Sequence, residues 1–239
     1  MRTIVLTGAT GGLGQVLARK IIQEKCGNLI CIYRNEDKFR SLFSDLLSGM
    51  HSHKTGPDDD YALLEDSILA LPGKEVALIL NAFSILPLKS VGEYSVQEMD
   101  EMINGNIRQN IVLLNRVTGL CRRKHLELKI INLDSGASGF PLRGWGNYCA
   151  SKAYINSFLS VTALENPDFK VVSFDPGVMD TDMQRQIRET DKKVFDQVDT
   201  FISYKERGLL SDPSAVAEQL IERYVSHWKA AGMREKYRP

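Results

Sequence analysis

The chain has 239 residues, room for one domain with a sizeable core, and its 43% apolar and 25% charged residues are ordinary for a globular protein. Thirty basic residues balance thirty acidic ones, so no global field invites nucleic acid or an anionic membrane. The four cysteines form no C-x-x-C pair and no zinc spacing with histidine, and no apolar run approaches a membrane span, so a cytoplasmic, metal-free protein is expected.

In chain order, "TIVLT" (residues 3–7) reads as a strand, its apolar run too short for a signal-peptide core. A helix follows, with Leu13, Leu17, Ile21 and Ile22 on one side. "LICIY" (29–33) is a second strand, and Asn35 can cap a helix that turns Phe39, Leu42, Phe43 and Leu46 inward. A third strand belongs near residues 49–60, yet that stretch is polar and ends in "PDDD". His51 and His53 within it read as a solvated loop rather than a metal site.

"VALILN" (76–81), "LKIINL" (128–133) and "KVVSF" (170–174) are further strands separated by helical patterns. "CRRKH" (121–125) reads as a solvated helix end, and Cys149 as a small packing residue. The last helix, "SAVAEQLIERYVSHWKAA", is followed only by "GMREKYRP", a poor seventh strand. Near-continuous apolar strands alternating with helices predict an α/β fold. The expectation is a single Rossmann-type doubly wound domain over residues 1–239, with a mostly parallel sheet of six to seven strands and helices on both faces.

"TGATGGLG" joins the first strand to the first helix, the context a glycine-rich dinucleotide motif needs. Gly8, Gly12 and Gly14 allow a tight turn, close backbone approach and close helix packing. With Thr10, Gly11 and Leu13 they are the candidate pyrophosphate contacts. At the end of the second strand, "IYRN" puts Tyr33 where an acid would bind the ribose hydroxyl of NAD, and Arg34 next to it. The planar, permanently charged fork of Arg34 suits a 2′-phosphate, with Asn35 beside it, so NADP is the expected cofactor. The competing reading is a surface arginine partnered by Glu36 or Asp37.

"GWGNYCASK" (144–152) sets Tyr148 and Lys152 one helical turn apart on a shared face. That spacing is common, and the rest of the chain decides its meaning. Ser135 follows the strand "LKIINL", and in order along the chain stand Asn81-Ala82, Asn106 in "MINGNI", and Pro176-Gly177 with Thr181. With the glycine motif, this constellation resembles the short-chain dehydrogenase/reductase family, whose pattern is T-G-x-x-x-G-x-G, N-A-G, a helix asparagine, a serine after the fifth strand, Y-x-x-x-K and P-G-x-x-x-T. "RGWGNYCASKA", "TALENPDFKVV" and "DPGVMDTDMQRQIRE" are similar to the sepiapterin reductase branch, and "FISYKERGLLSD" to the bacterial benzil reductases. Three departures stand out: "NAF" for N-A-G, so that Phe83 crowds the loop under the cofactor; "LDS", which puts Asp134 beside Ser135; and Lys236 near the place of the pterin-anchoring aspartate, which argues against a pterin substrate.

The resemblance implies a catalytic set of Asn106, Ser135, Tyr148 and Lys152. It also implies cofactor contacts at Asn81, Ala82, Tyr148, Lys152, Pro176, Gly177, Val178, Met179 and Thr181. Reduction of a carbonyl adds a hydride to carbon and a proton to oxygen, so a positioned acid is required. A free tyrosine has a pKa of about 10, and a nearby cation lowers it. Lys152 is therefore expected to bring Tyr148 toward neutrality and to bind the nicotinamide ribose, while Ser135 holds the substrate oxygen. Asn106, as the resemblance implies, positions a water that passes protons to Lys152.

The expected reaction is NADPH-dependent reduction of a small ketone or diketone, with no nucleic-acid or membrane partner. The alternatives are NAD-dependent alcohol oxidation on the same residues, and a dinucleotide sensor or scaffold without turnover. Ser135, Phe140, Trp145 and Met179 are the expected substrate pocket, closed by residues 179–210 as a lid. A homodimer is expected through the helix of Tyr148 and its preceding neighbour, with Val112, Leu113, Val117, Phe158 and Val161 as outward apolar surface.

Overall fold

The computed structural model describes residues 1–56 and 59–238. Strands β1 (Arg2–Thr7), β2 (Asn28–Tyr33), β3 (His51–Lys54), β4 (Glu75–Leu80), β5 (Glu127–Leu133), β6 (Lys170–Asp175) and β7 (Arg234–Lys236) form one sheet in the order β3-β2-β1-β4-β5-β6-β7. Every neighbouring pair is parallel. The order reverses between β1 and β4, and the crevice at their carboxyl ends is where an open α/β sheet takes its ligand.

Helices α1 (Gly12–Gln23), α2 (Glu36–Phe43), α3 (Ala62–Ala70), α4 (Val96–Ile103), α5 (Gln109–Lys124), α6 (Gly146–Glu165), α7 (Asp182–Arg188), α8 (Val198–Glu206) and α9 (Pro213–Leu220) connect and cover the strands. Side chains alternate across a strand with period two, so each strand feeds two cores. Ile4 and Leu6 of β1 join Leu17, Phe39, Val216 and Tyr224 on one face. Val5 joins Leu64, Leu113, Val117 and Leu159 on the other. A smaller third cluster, with Trp145, Tyr148, Phe195 and Val198, is separate from both but adjoins the second through Phe83.

The uncertain edges of the sheet are both strands. β3 is wholly polar, "HSHK", yet it pairs with residues 30–33. An edge strand needs only its backbone ladder, so the apolar signal is missing while the pairing is kept. His51 and His53 thus lie on a strand rather than in a loop, and the His53 ring sits 2.7 Å from Asp59 Oδ2. Of the "PDDD" stretch, Pro57 and Asp58 lie outside the described residues. β7 pairs with residues 173–175 despite its poor composition.

Three helix expectations change. The second helix ends at Phe43, so Leu46 packs from beyond its end. The last helix passes through a π-helical stretch, Ile221–Ser226, and stops before His227, well short of the full apolar pattern. Leu113 and Val117 are fully buried in the core rather than outward. Four-residue spacing does not say which side of a helix meets the sheet, and α5 lies between the sheet and the expected partner surface.

Candidate active site

At the first βα turn, Gly8 has a φ of 65°, and a Cβ on Gly14 would lie 2.1 Å from the Gly8 carbonyl oxygen. No side chain caps the start of α1 and no acid stands in its first turn. A glycine-rich turn opening on a helix N-terminus fits the pyrophosphate of a dinucleotide. Thr181 lies against Gly12, where an added Cβ would meet its Cγ2 at 2.6 Å. This brings the loop after β6 (Pro176, Gly177, Val178, Met179) to the same crevice. Leu13 is buried in the core, so only its backbone can face a ligand, while Thr10 is half-buried and Gly11 exposed.

Arg34 is exposed just beyond β2. Glu36, its supposed surface partner, instead pairs with Arg40 at 2.8 Å and Lys54 at 3.6 Å. Asn35 accepts the Lys38 N–H at 2.8 Å and is committed to capping α2. The Asn81 amide donates to the carbonyls of Thr7 and Gly8, at 3.2 and 3.0 Å, and so shapes the glycine loop from beneath.

Asn106 sits in a π-helical turn, Asn104–Arg108, between α4 and α5. Its Oδ1 accepts the Ser84 N–H at 2.8 Å and its Nδ2 donates to the Ser84 carbonyl at 2.7 Å. Its own carbonyl accepts Asn110 Nδ2 at 2.9 Å. The side chain is thus spent on holding the loop after β4.

Tyr148, Lys152 and Asn156 are spaced four apart on the buried face of α6. The Ser135 hydroxyl acts on the Tyr148 phenol, lowering its pKa, and accepts the Ala137 N–H at 3.2 Å. Lys152 Nζ donates to the Leu133 carbonyl at 2.5 Å and lies 5.7 Å from the centre of the Tyr148 ring. It also lies 3.1 Å from the centre of the Phe83 ring. Asn156 donates to Asp134 Oδ2 at 2.8 Å and accepts the Ser173 hydroxyl at 2.6 Å, so Asp134 is held at the edge of the site.

The electrostatics differ from the expectation in direction. Burial pushes the Tyr148 phenol well above its ordinary value, with the Ser135 hydroxyl opposing the rise and Asp134 and Asp175 adding to it. Burial also draws Lys152 down to about 7, against the pull of the same two aspartates. Desolvation dominates both shifts, so Tyr148 is not brought toward neutrality in this state.

Of the expected pocket, Trp145 is buried, its ring centre 5.8 Å from that of Tyr148 and 5.0 Å from that of Phe195. Phe140 is 75% exposed at the rim. Met179 is half-buried and bridges to Ser211. Residues 179–210 do pack here: Ile187, Phe195 and Val198 are buried against Trp145 and Tyr148, while the charged part of α7 faces outward.

Two residues of the site escaped the sequence reading. The Thr7 hydroxyl accepts the N–H groups of Asn81 and Ala82, and Asn110 donates to the carbonyls of Ala82 and Asn106. The signal for Asn110 was its i,i+4 spacing from Asn106. For Thr7 it was a hydroxyl at the end of an apolar strand.

Comparison with known proteins places this geometry. The family model for short chain dehydrogenases matches residues 2–192. The chain is 30% identical over 235 residues to a benzil reductase ((S)-benzoin forming) of Bacillus cereus, with 92% of each chain covered. It is 29% identical to the sepiapterin reductase of Bos taurus, over 91% of this chain and 87% of that one. Among solved structures, the KRED1-Pglu enzyme superposes with a TM-score of 0.86 at 23% identity, covering 98% of this chain and 100% of the other. A short-chain dehydrogenase/reductase from Saccharomyces cerevisiae gives 0.84, also at 23%, over 100% and 97%. The chain belongs to the short-chain dehydrogenase family of nicotinamide-dinucleotide oxidoreductases.

Proposed function

We propose that this protein is an NADP-dependent carbonyl reductase acting on a small ketone or diketone, with Tyr148 as the general acid. The observation that carries the reading is the placing of Tyr148 beside Ser135 and buried Lys152, across the sheet's switch point from the glycine cradle. Reduced nicotinamide, when bound, supplies the hydride. Ser135 donates a hydrogen bond to the carbonyl oxygen, and the Tyr148 O–H gives that oxygen its proton as negative charge develops. A phenol held above its ordinary value keeps its proton at neutral pH, which suits a donor to an alkoxide. Lys152, drawn down to about 7, can then return a proton to the phenolate. The apolar cluster of Trp145, Phe195 and Val198 excludes water from the reacting oxygen.

NADP is favoured over NAD because Tyr33 stands where an acid would be needed, and Arg34 next to it has no carboxylate within ion-pair distance among the described residues. The names of the benzil and sepiapterin reductases support a carbonyl substrate. Four free cysteines, two of them fully buried, support a reducing, cytoplasmic setting. Among the described residues, no helix is long and apolar enough to cross a membrane. The exposed face of α6, with Val161 at 49% and Leu164 at 82% exposure, supports a homodimer through that helix. Light scattering at micromolar concentration tests the dimer, and a monomer would remove it.

The test of the reaction is NADPH oxidation with benzil and a panel of simple ketones and diketones. The parent protein should turn over at least one of them, and Tyr148→Phe should lose about 10²- to 10⁴-fold in kcat while still folding and binding NADPH. Near-parental turnover by Tyr148→Phe would sink the mechanism.

A further inference from the structure

Phe83 lies on the loop after β4, far in sequence from α6, yet its ring centre is 3.1 Å from Lys152 Nζ. Its place is tightly determined. The preceding residue, Ala82, gives its N–H to Thr7 Oγ1 at 2.9 Å and receives Asn110 Nδ2 on its carbonyl at 3.3 Å. The following residue, Ser84, has both its N–H and its carbonyl held by the Asn106 amide, at 2.8 and 2.7 Å. Four hydrogen bonds thus clamp the backbone on either side of the ring. The ring itself packs against two apolar clusters at once, the core beneath α5 and α6 and the small cluster around Trp145.

Lys152 is 2% exposed, and among the described residues its ammonium donates to the Leu133 carbonyl. An ammonium carries three donors, and the Leu133 carbonyl takes only one of them. The negative face of an aromatic ring meets the ammonium here, in a desolvated place where such a contact is strongest. The other charged or titratable groups that act on Lys152 are Asp134 at the end of β5 and Asp175 at the end of β6, with Tyr148 on its own helix. The asparagines of the turn before α5 are neutral.

We propose that Phe83 is a positioning residue for Lys152: its ring face covers the buried ammonium, holding it charged and in place beside Tyr148. The proposal rests on the assignment of Tyr148 and Lys152 as acid and partner, and it adds a residue from another element to that pair. Acting through Lys152, Phe83 needs no contact with substrate. Apolar packing by an aliphatic side chain of similar size would not replace it, because the electron-rich face is what opposes burial.

The decisive experiment replaces Phe83 with 3,4,5-trifluorophenylalanine, which keeps the ring's shape and weakens its negative face. The titration of Lys152 is then followed through the chemical shift of its side-chain carbon in isotope-labelled protein without cofactor, assigned by loss of the signal in Lys152→Met. The midpoint should fall by about one pH unit. Phe83→Leu should fall at least as far, and Phe83→Tyr should restore the parent value. The acid limb of kcat/KM should move with the midpoint. An unchanged midpoint in the fluorinated protein overturns the proposal, and since that side chain fits the same space, poor folding of Phe83→Leu leaves the test intact. The readout needs no turnover, so activity surviving in Tyr148→Phe would defeat the proposed reaction while leaving the Phe83 result to stand or fall alone.

Discussion

The hydroxyl of Thr7, at the end of β1, accepts the backbone N–H of Asn81 at 2.8 Å, and that of Ala82 at 2.9 Å. One side chain thereby ties the glycine loop to the loop that carries Phe83. Thr7→Val keeps the shape and leaves two N–H groups without their acceptor, at a cost of about 1–3 kcal/mol for an unsatisfied buried group. Thr7→Ser retains the acceptor and should stay close to the parent. Urea unfolding of the two variants checks this, and equal stability of Thr7→Val and Thr7→Ser would remove Thr7's role.

Arg34 is exposed at the end of β2, while Glu36 is engaged by Arg40 and Lys54. Arg34→Ala should raise the KM for NADPH by roughly 10- to 100-fold, the worth of a charge-assisted hydrogen bond of about 1.5–3 kcal/mol. The KM for NADH should hardly change. Equal losses for both cofactors would show that Arg34 does not read a phosphate.

Lys152 binds its proton less tightly in the folded chain, at about 7 because of burial, than at its ordinary value of 10.5. Between those values the unfolded chain holds more protons, so this group lets stability rise with pH across the window; its cost is fully present below about 7 and gone above 10.5. Lys152→Met should therefore stabilise the cofactor-free fold at neutral pH and below, by an amount on the order of a few kcal/mol. The gain should shrink as pH rises toward 10.5 and reverse there, since the Leu133 carbonyl has lost its donor. Thermal unfolding across that range reads the sign, and a gain independent of pH would contradict it.

Phe195 is fully buried, but in the small cluster over Tyr148 rather than in either large core. Truncating a buried phenylalanine costs about 3–5 kcal/mol in a full core. Here the loss should appear as local opening. Phe195→Ala should speed amide exchange in α7 and α8 by more than tenfold while the exchange of β4 and β5 stays slow. Cofactor and substrate together should slow exchange in α7 and α8 of the parent protein. No change in either experiment would mean that residues 179–210 are a fixed surface rather than a lid.

Much of the fold and the order of the site were legible in the sequence, for local reasons. Buried parallel strands must be apolar nearly throughout, which marked β1, β2, β4, β5 and β6. The polar edge strand β3 and the short β7 carried no such signal, because an edge is stabilised by its backbone ladder alone. The i,i+4 spacing of Tyr148 and Lys152 and the glycines at the first βα turn are likewise local, since helix pitch and close backbone approach dictate them.

What the sequence by itself determined, then, was which elements form and which chemical groups they carry. Tertiary structure decided the burial of those groups and their partners. Leu113 and Val117 point inward because α5 packs against the sheet. Lys152 meets Phe83 only because Thr7 at the end of β1, with Asn106 and Asn110 around the start of α5, clamps the loop between them. The Tyr148 phenol is pushed up, against the expectation from its lysine neighbour, because burial in the cluster around Phe195 strips water from it, with Asp134 and Asp175 adding to the rise. Charge attraction can be read from spacing along one helix; desolvation is the sum of contacts from distant segments, and exists only once the chain has folded.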